Sequence, residues 1–173
     1  GYPSVTLNIF NDWYARDTSK KIRAVFKAKG QSGKPLSLPI YGYKKSEANK
    51  NLWLVDDEAA EVVRRIFKLC IEGYSPVQIA RILTQEGNPD PTAYALSKGR
   101  DNGHKNAKLH RWSGKTISHI LDRPEYIGHT VNFRTHKKSY KNKKTVKNLQ
   151  EEWLIFENTH EPIVTQQEFD LVQ

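Results

Sequence analysis

Residues 56–87 constrain the fold more than any other part of the chain, because they prescribe two amphipathic helices joined by a turn too short to separate them. Asp56-Asp57-Glu58 sets acids where a helix N-terminus favours negative charge. Ala59, Val62, Val63, Ile66, Phe67 and Cys70 then follow at i, i+3, i+4 spacing until Gly73. Ser75 is an N-cap with Pro76 at the first helical position, and Ile79, Ile82 and Leu83 form a second stripe closed by Gly87. Each stripe needs a partner to bury it, so the pair predicts a helical core of helix-turn-helix type. Such hairpins serve many helical proteins, and the signal alone names no function.

Around this hairpin the pattern predicts an α+β chain, mainly helical, with a small antiparallel β component, preceded by a long helix and an extended arm. The first helix spans residues 5–29, with Phe10, Trp13 and Tyr14 and then Ile22, Val25 and Phe26 along its stripe, and Gly30 is expected to stop it. Residues 31–43 hold two prolines and two glycines and read as extended. Short strands or extended segments are expected over 39–43 and 52–55, and residues 88–111 read as a loop. A short helix follows, with Ser113 as its N-cap, Ile117, Ile120 and Leu121 facing inward, and Pro124 beyond its end. Residues 126–133 are predicted to pair with 153–156, leaving a lysine-rich tip between them that resembles the wing of a winged helix. A last short helix starts after Thr165.

Charge narrows the function. The net charge is +9, and most of the 28 Lys and Arg residues fall in three stretches. Lys20, Lys21, Arg23, Lys27, Lys29, Lys34, Lys44 and Lys45 form the first. Lys98, Arg100, Lys105, Lys108, Arg111 and Lys115 form the second, and Arg134, Lys137, Lys138, Lys141, Lys143, Lys144 and Lys147 the third. The remainder is acidic. Such segregation builds local positive potential and suits a polyanion touching several surfaces. The bland alternative is three solvated lysine-rich loops.

Other chemistry finds little support. No apolar run is long enough to span a membrane, no basic stretch carries a matching apolar face, and residues 1–4 show no signal pattern, so a soluble cytoplasmic protein is expected, nucleoid-associated when bound. Cys70 is the single cysteine, which leaves no internal disulfide and no cysteine-based zinc site. The six histidines, His104, His110, His119, His129, His136 and His160, lack metal-ligand spacing, so no metal residue is expected. Gly114-Lys115-Thr116 imitates the end of a P-loop, but Leu109 stands where its first glycine would be.

Taken in order, Leu38-Pro39-Ile40-Tyr41-Gly42-Tyr43, Val55-Asp56-Asp57-Glu58-Ala59-Ala60, Gly73-Tyr74-Ser75, Ile79-Ala80-Arg81-Ile82-Leu83, Trp112-Ser113, Pro124-Glu125-Tyr126-Ile127-Gly128 and His160-Glu161-Pro162-Ile163-Val164 resemble the recombinase domain of large serine recombinases, the serine integrases and transposon resolvases of phages and mobile elements. The resemblance runs over essentially the whole chain. Arg123 departs from it, since asparagine is usual before that proline.

The resemblance implies a fragment of a bacterial or phage-encoded recombinase. Residues 1–31 correspond to the end of a catalytic domain and its long connecting helix, 32–55 to a DNA-contacting arm with short strands, and 56–173 to the recombinase DNA-binding domain. The catalytic serine is expected outside the fragment, so no residue here is expected to be catalytic; Ser19 lies on the helix and matches no nucleophile motif. No cofactor is expected in the fragment, although the parent is expected to hold zinc in a downstream domain. The implied partners are double-stranded DNA at an attachment or terminal site and other recombinase subunits, with no membrane.

Lys20, Arg23, Lys27 and Lys29 on the first helix, with Arg134, Lys137 and Lys138 on the hairpin, are expected to hold phosphates. Lys34, Leu38, Pro39, Tyr41, Gly42 and Lys44 belong to the arm, expected in or beside the minor groove. Arg111, Ser113, Gly114, Lys115, Thr116, Ser118 and His119 are expected at the major groove, with Arg123 as a further phosphate contact. The competing expectation is a protein-docking or dimerisation segment acting through Phe10, Trp13 and Tyr14.

Overall fold

In the computed structural model, residues 3–100 and 111–173 are described. The expected Lys105 and Lys108 therefore lie outside the described residues. Two compact units emerge, each discontinuous in sequence: Gly1–Leu38 with Thr130–Thr159, and Pro39–His129 with His160–Gln173.

The second unit is built on the helical hairpin. Helix α2 (Asp57–Ile71) and helix α3 (Pro76–Gln85) run on either side of Gly73. Ser75 Oγ accepts from the Gln78 amide while the Gln78 side chain takes the Ser75 amide, a reciprocal capping box that fixes where α3 begins. Helix α5 (Gly114–Leu121) packs mainly on α3 and also on α2, and helix α6 (Gln166–Val172), capped by Thr165, covers α2. Strands β1 (Tyr43–Lys45) and β2 (Trp53–Val55) pair antiparallel, with Tyr43 opposite Val55. The core joins Tyr43, Trp53, Val63, Ile66, Phe67, Ile79, Leu83, Trp112, Ile117, Tyr126 and Ile163. Each fully buried aliphatic or aromatic side chain here contributes about 1.5–3 kcal/mol, so the inward faces of these short helices provide what their lengths cannot.

Two expectations change in this unit. Inside the segment read as a loop, Pro91–Ser97 forms helix α4, capped by Asp90, whose carboxylate accepts from the Ala93 amide at 2.8 Å. Pro91 occupies the first helical position, where its missing N–H costs nothing, and Pro89 lies outside the helix. Residues 126–127, expected to open a strand, instead belong to a single 3₁₀ turn over Pro124–Ile127, which Pro124 begins and Gly128 closes in the left-handed region at φ 94°.

The first unit contains helix α1 (Pro3–Gln31), whose 29 residues span about 43 Å at the usual helical rise. Gly30 does not stop it. A side chain there would strike the ring of Phe133 and Leu36, so the glycine permits a close approach and the helix runs one residue past it. Strand β3 (Thr130–Asn132) pairs with β6 (Leu154–Phe156), as expected in outline, and the lysine-rich segment between them makes a second antiparallel pair, β4 (Thr135–Lys137) with β5 (Thr145–Lys147). The buried Asn132 amide donates to the carbonyls of Gly30 at 3.1 Å and Lys34 at 2.9 Å, and its oxygen accepts from the Leu36 amide at 3.2 Å. One side chain thus satisfies three backbone groups where α1 gives way to the arm.

Candidate nucleic-acid interface

Helix α5 has two chemically distinct faces. Ile117, Ile120 and Leu121 are buried, while Lys115, His119 and Asp122 are exposed and Thr116 and Ser118 half-buried. Its start is fixed three times over. Ser113 Oγ accepts from the Thr116 amide at 3.2 Å, the buried Trp112 donates its indole N–H to the Asn88 carbonyl at 3.0 Å, and the Trp112 amide donates to Thr84 Oγ1 at 3.1 Å. Gly114 sits where a Cβ would be 3.0 Å from Val77, so α5 starts close against the start of α3. The predicted Ser113, Gly114, Lys115, Thr116, Ser118 and His119 thus share one end and one outer face of a short, rigidly seated helix. Arg111, exposed, precedes it.

The arm residues divide. Leu38 is 71% exposed, Lys34 and Lys44 are exposed, and Pro39 is half-buried. Gly42 is buried, with its Cα face turned to Ile163 and Val63, which corrects its placement on a contact surface. Tyr41 is half-buried, its ring edge-on to Tyr94 at 5.7 Å and to Trp112 at 5.8 Å, and its carbonyl accepts from Tyr126 Oη at 2.6 Å. Burial, reinforced by Tyr94 and by the carboxylates of Asp56, Glu58 and Asp90, holds the Tyr41 hydroxyl well above its ordinary pKa. Beside it lies a cavity of about 170 Å³ lined by Tyr41, Tyr43, Asp56, Pro91, Tyr94 and Arg100. Tyr94 Oη donates to the Asp56 carboxylate, 2.9 Å from either oxygen, and Arg100 stands 3.9 Å from the same group.

In the first unit, Lys20, Arg23, Lys27 and Lys29 are exposed along the second half of α1. Lys137 and Lys138 are exposed on the ribbon, and the Lys137 ammonium donates to Thr145 Oγ1 at 2.6 Å. Arg134 is half-buried with its guanidinium 5.0 Å over the Trp153 ring. The ribbon tip folds onto its own helix: Tyr140 Oη donates to Asp12 at 3.0 Å, Lys141 reaches the same carboxylate at 3.4 Å, and Arg16 lies 5.8 Å over the Tyr140 ring. The Tyr140 hydrogen bond above all, with Lys141 and Arg16, holds the Asp12 carboxyl below its usual pKa. Lys141 is therefore partnered within the chain. So is Arg123, half-buried and 3.8 Å from the buried Glu125 carboxylate. By contrast, no ion pair among the described residues holds Lys20, Arg23, Lys27, Lys29, Lys34, Lys44, Arg111, Lys115, Lys137 or Lys138.

Sequence reasoning missed Tyr94, Asp56 and the anchoring role of Trp112. The signal for α4 was present, since Asp90-Pro91 is the same cap-then-proline signature used at Ser75-Pro76. No group of three or more His, Cys, Asp or Glu among the described residues is arranged to hold a metal, and no described helix is long and apolar enough to cross a membrane.

The family model described as Recombinase matches residues 57–173, from the start of α2 to the last residue. No curated protein matches the sequence. Among solved structures, one described as "Crystal Structure of a LSR-DNA Complex" is similar at a TM-score of 0.52 and 14% identity, over 88% of this chain and 37% of that one. Another, described as "Sequence Requirements of the Listeria innocua prophage attP site", is similar at 0.43 and 20% identity, over 91% of this chain and 49% of that one. The chain thus spans between a third and a half of those chains.

Proposed function

The chain belongs to the Recombinase family, and from that membership we propose that it is the duplex-DNA-binding part of a site-specific serine recombinase, reading one attachment half-site. The observation that carries this reading is the build of α5: an apolar face seated on α3, a start fixed by Trp112 and Ser113, and an outer face of Lys115, Ser118 and His119 small enough to enter a major groove. A fold shared with a structure described as an LSR-DNA complex agrees with it. Lys115 and His119 read base edges. Lys20, Arg23, Lys27 and Lys29, with Lys137 and Lys138, hold phosphates, and the arm from Lys34 to Tyr41 follows the minor groove. DNA cleavage and rejoining in the parent fall to a catalytic domain outside this chain. The test is selection of duplexes from a random pool followed by footprinting of the winning site. About six neutralised phosphates give a log-log salt slope near −5, and binding insensitive to salt, or no protected site, refutes the reading.

A second reading rests on the first half of α1, where Phe10, Trp13 and Tyr14 are each about 60% exposed. This apolar face suits a catalytic domain or a second subunit, and sedimentation of the chain without DNA tests it, since self-association through the helix produces dimers.

A further inference from the structure

We infer that Tyr41 is a positioning residue that, through its ring contacts with Trp112 and Tyr94, locks the end of the arm, residues 39–41, to the start of α5, so that the minor-groove contact of this arm end and the major-groove contact of α5 are made at one fixed offset. This deepens the DNA-binding reading and rests on it. Trp112 immediately precedes the N-cap of α5, so whatever holds its indole holds the first turn of that helix. Its own hydrogen bonds reach back to Thr84 and Asn88 at the end of α3. Tyr41 meets the same indole edge-on, at 5.8 Å and 73°, and meets Tyr94 at 5.7 Å and 89°, geometries in which the positive ring edge faces the negative π face. The arm cannot slide along this contact, because the Tyr41 carbonyl is held by Tyr126 Oη at 2.6 Å and the next two residues, Gly42 and Tyr43, are buried. Tyr94 is held in turn by Asp56 at the start of α2. The three rings bring together chain segments 41, 94 and 112, which no local sequence pattern connects. Within the same compact unit, the arm residues just before Tyr41, Pro39 and Ile40, are half-buried. A duplex touched by both residues 39–41 and α5 therefore meets two elements whose separation the aromatic cluster sets. Tyr41 itself turns its ring inward and has no need to touch a base.

The experiment uses a duplex selected from a random pool by the wild-type chain, probed in parallel with hydroxyl radicals, which report the minor groove, and dimethyl sulfate, which reports guanine N7 in the major groove. Wild type and Tyr41→Phe, which keeps the ring edge, protect both tracts at the same offset. Tyr41→Ala keeps the guanine protection at raised protein concentration, loses or shifts the minor-groove protection, and binds about 5- to 100-fold more weakly, the loss expected for two aromatic contacts. A Tyr41→Ala chain that melts like wild type yet keeps both tracts at the wild-type offset, or loses both together, overturns the inference while leaving the DNA reading in place. Should Tyr41→Ala fail to fold, Tyr41→Leu decides, because it keeps apolar bulk at the site while removing the ring contacts with Trp112 and Tyr94. The same split footprint supports the inference, and an unchanged one overturns it. A wild-type chain that protects no selected duplex overturns the DNA reading, and the inference with it.

Discussion

Gly128→Ala offers a severe test of the second unit, since the cost can be worked from geometry. Gly128 closes the 3₁₀ turn at φ 94° and ψ 14°, where an L side chain costs about 1–2 kcal/mol. A Cβ there would also lie 2.7 Å from the His160 carbonyl oxygen, a backbone atom. That carbonyl cannot retreat easily. The His160 amide donates to Gly128 O at 3.4 Å, its imidazole Nε2 donates to Glu125 O at 2.7 Å, and the Tyr43 hydroxyl holds the next carbonyl, Glu161, at 2.7 Å. Overpacking against such a fixed neighbour adds about 1–3 kcal/mol, for a total of about 2–5 kcal/mol. Gly87→Ala is the control, because Gly87 has φ 75° but nothing within 4 Å of an added Cβ, so it carries the dihedral cost alone. Urea unfolding of the three proteins, read as midpoint shifts at constant slope, separates the two contributions. A Gly128→Ala loss no larger than that of Gly87→Ala would refute the close approach and the packing of residues 160–163 built on it.

Ile117→Ala, which empties a fully buried site on α5, is expected to cost about 2–5 kcal/mol in denaturant. Lys115→Ala, exposed on the same helix, leaves the midpoint within about 0.5 kcal/mol while changing base preference by about 1–3 kcal/mol at one position of a selected duplex. Equal loss on specific and random DNA would instead make Lys115 a phosphate contact. His160 is held below its ordinary pKa first by burial, so the unfolded chain takes up a proton before the folded one does. Stability is therefore level above about pH 6.5 and falls as pH drops through the unfolded-state value toward the lower folded one, and His160→Gln should flatten that fall in acid denaturation curves. Asn132→Ala is expected to cost at least 1–3 kcal/mol by orphaning the Lys34 and Gly30 carbonyls and the Leu36 amide, measured as loss of cooperative unfolding in the first unit.

The hairpin α2–α3 and the caps at Ser75, Ser113 and Thr165 were legible because they are written within a few residues of one another, and the family motifs in that span correspond to the segment matched by the Recombinase model. What escaped was decided at long range. Gly30 reads as a helix stop by composition, yet its role is set by Phe133 far along the chain. Lys141 reads as an outward cation, but Asp12, more than a hundred residues earlier, answers it, and no periodicity reports such pairing. Helix α4 escapes for a different reason: Asp90-Pro91 reads as punctuation, yet it is a cap and a first helical residue. Tyr41, read as part of the arm, packs its ring edge-on against Tyr94 and Trp112, contacts that the local sequence does not report.

The three bonds of Asn132 also bear on the order in which the molecule is made. They join residues 96 to 102 positions apart, so α1, although synthesised first, acquires its closing contacts only after β3 has left the ribosome. Until then the helix end at Gly30 has neither Phe133 nor Asn132 beside it, and more than ninety residues, including α2 to α5, have the chance to fold first. A translation pause or truncation before residue 130 would therefore release a chain whose helical hairpin can form while its longest helix has no fixed end.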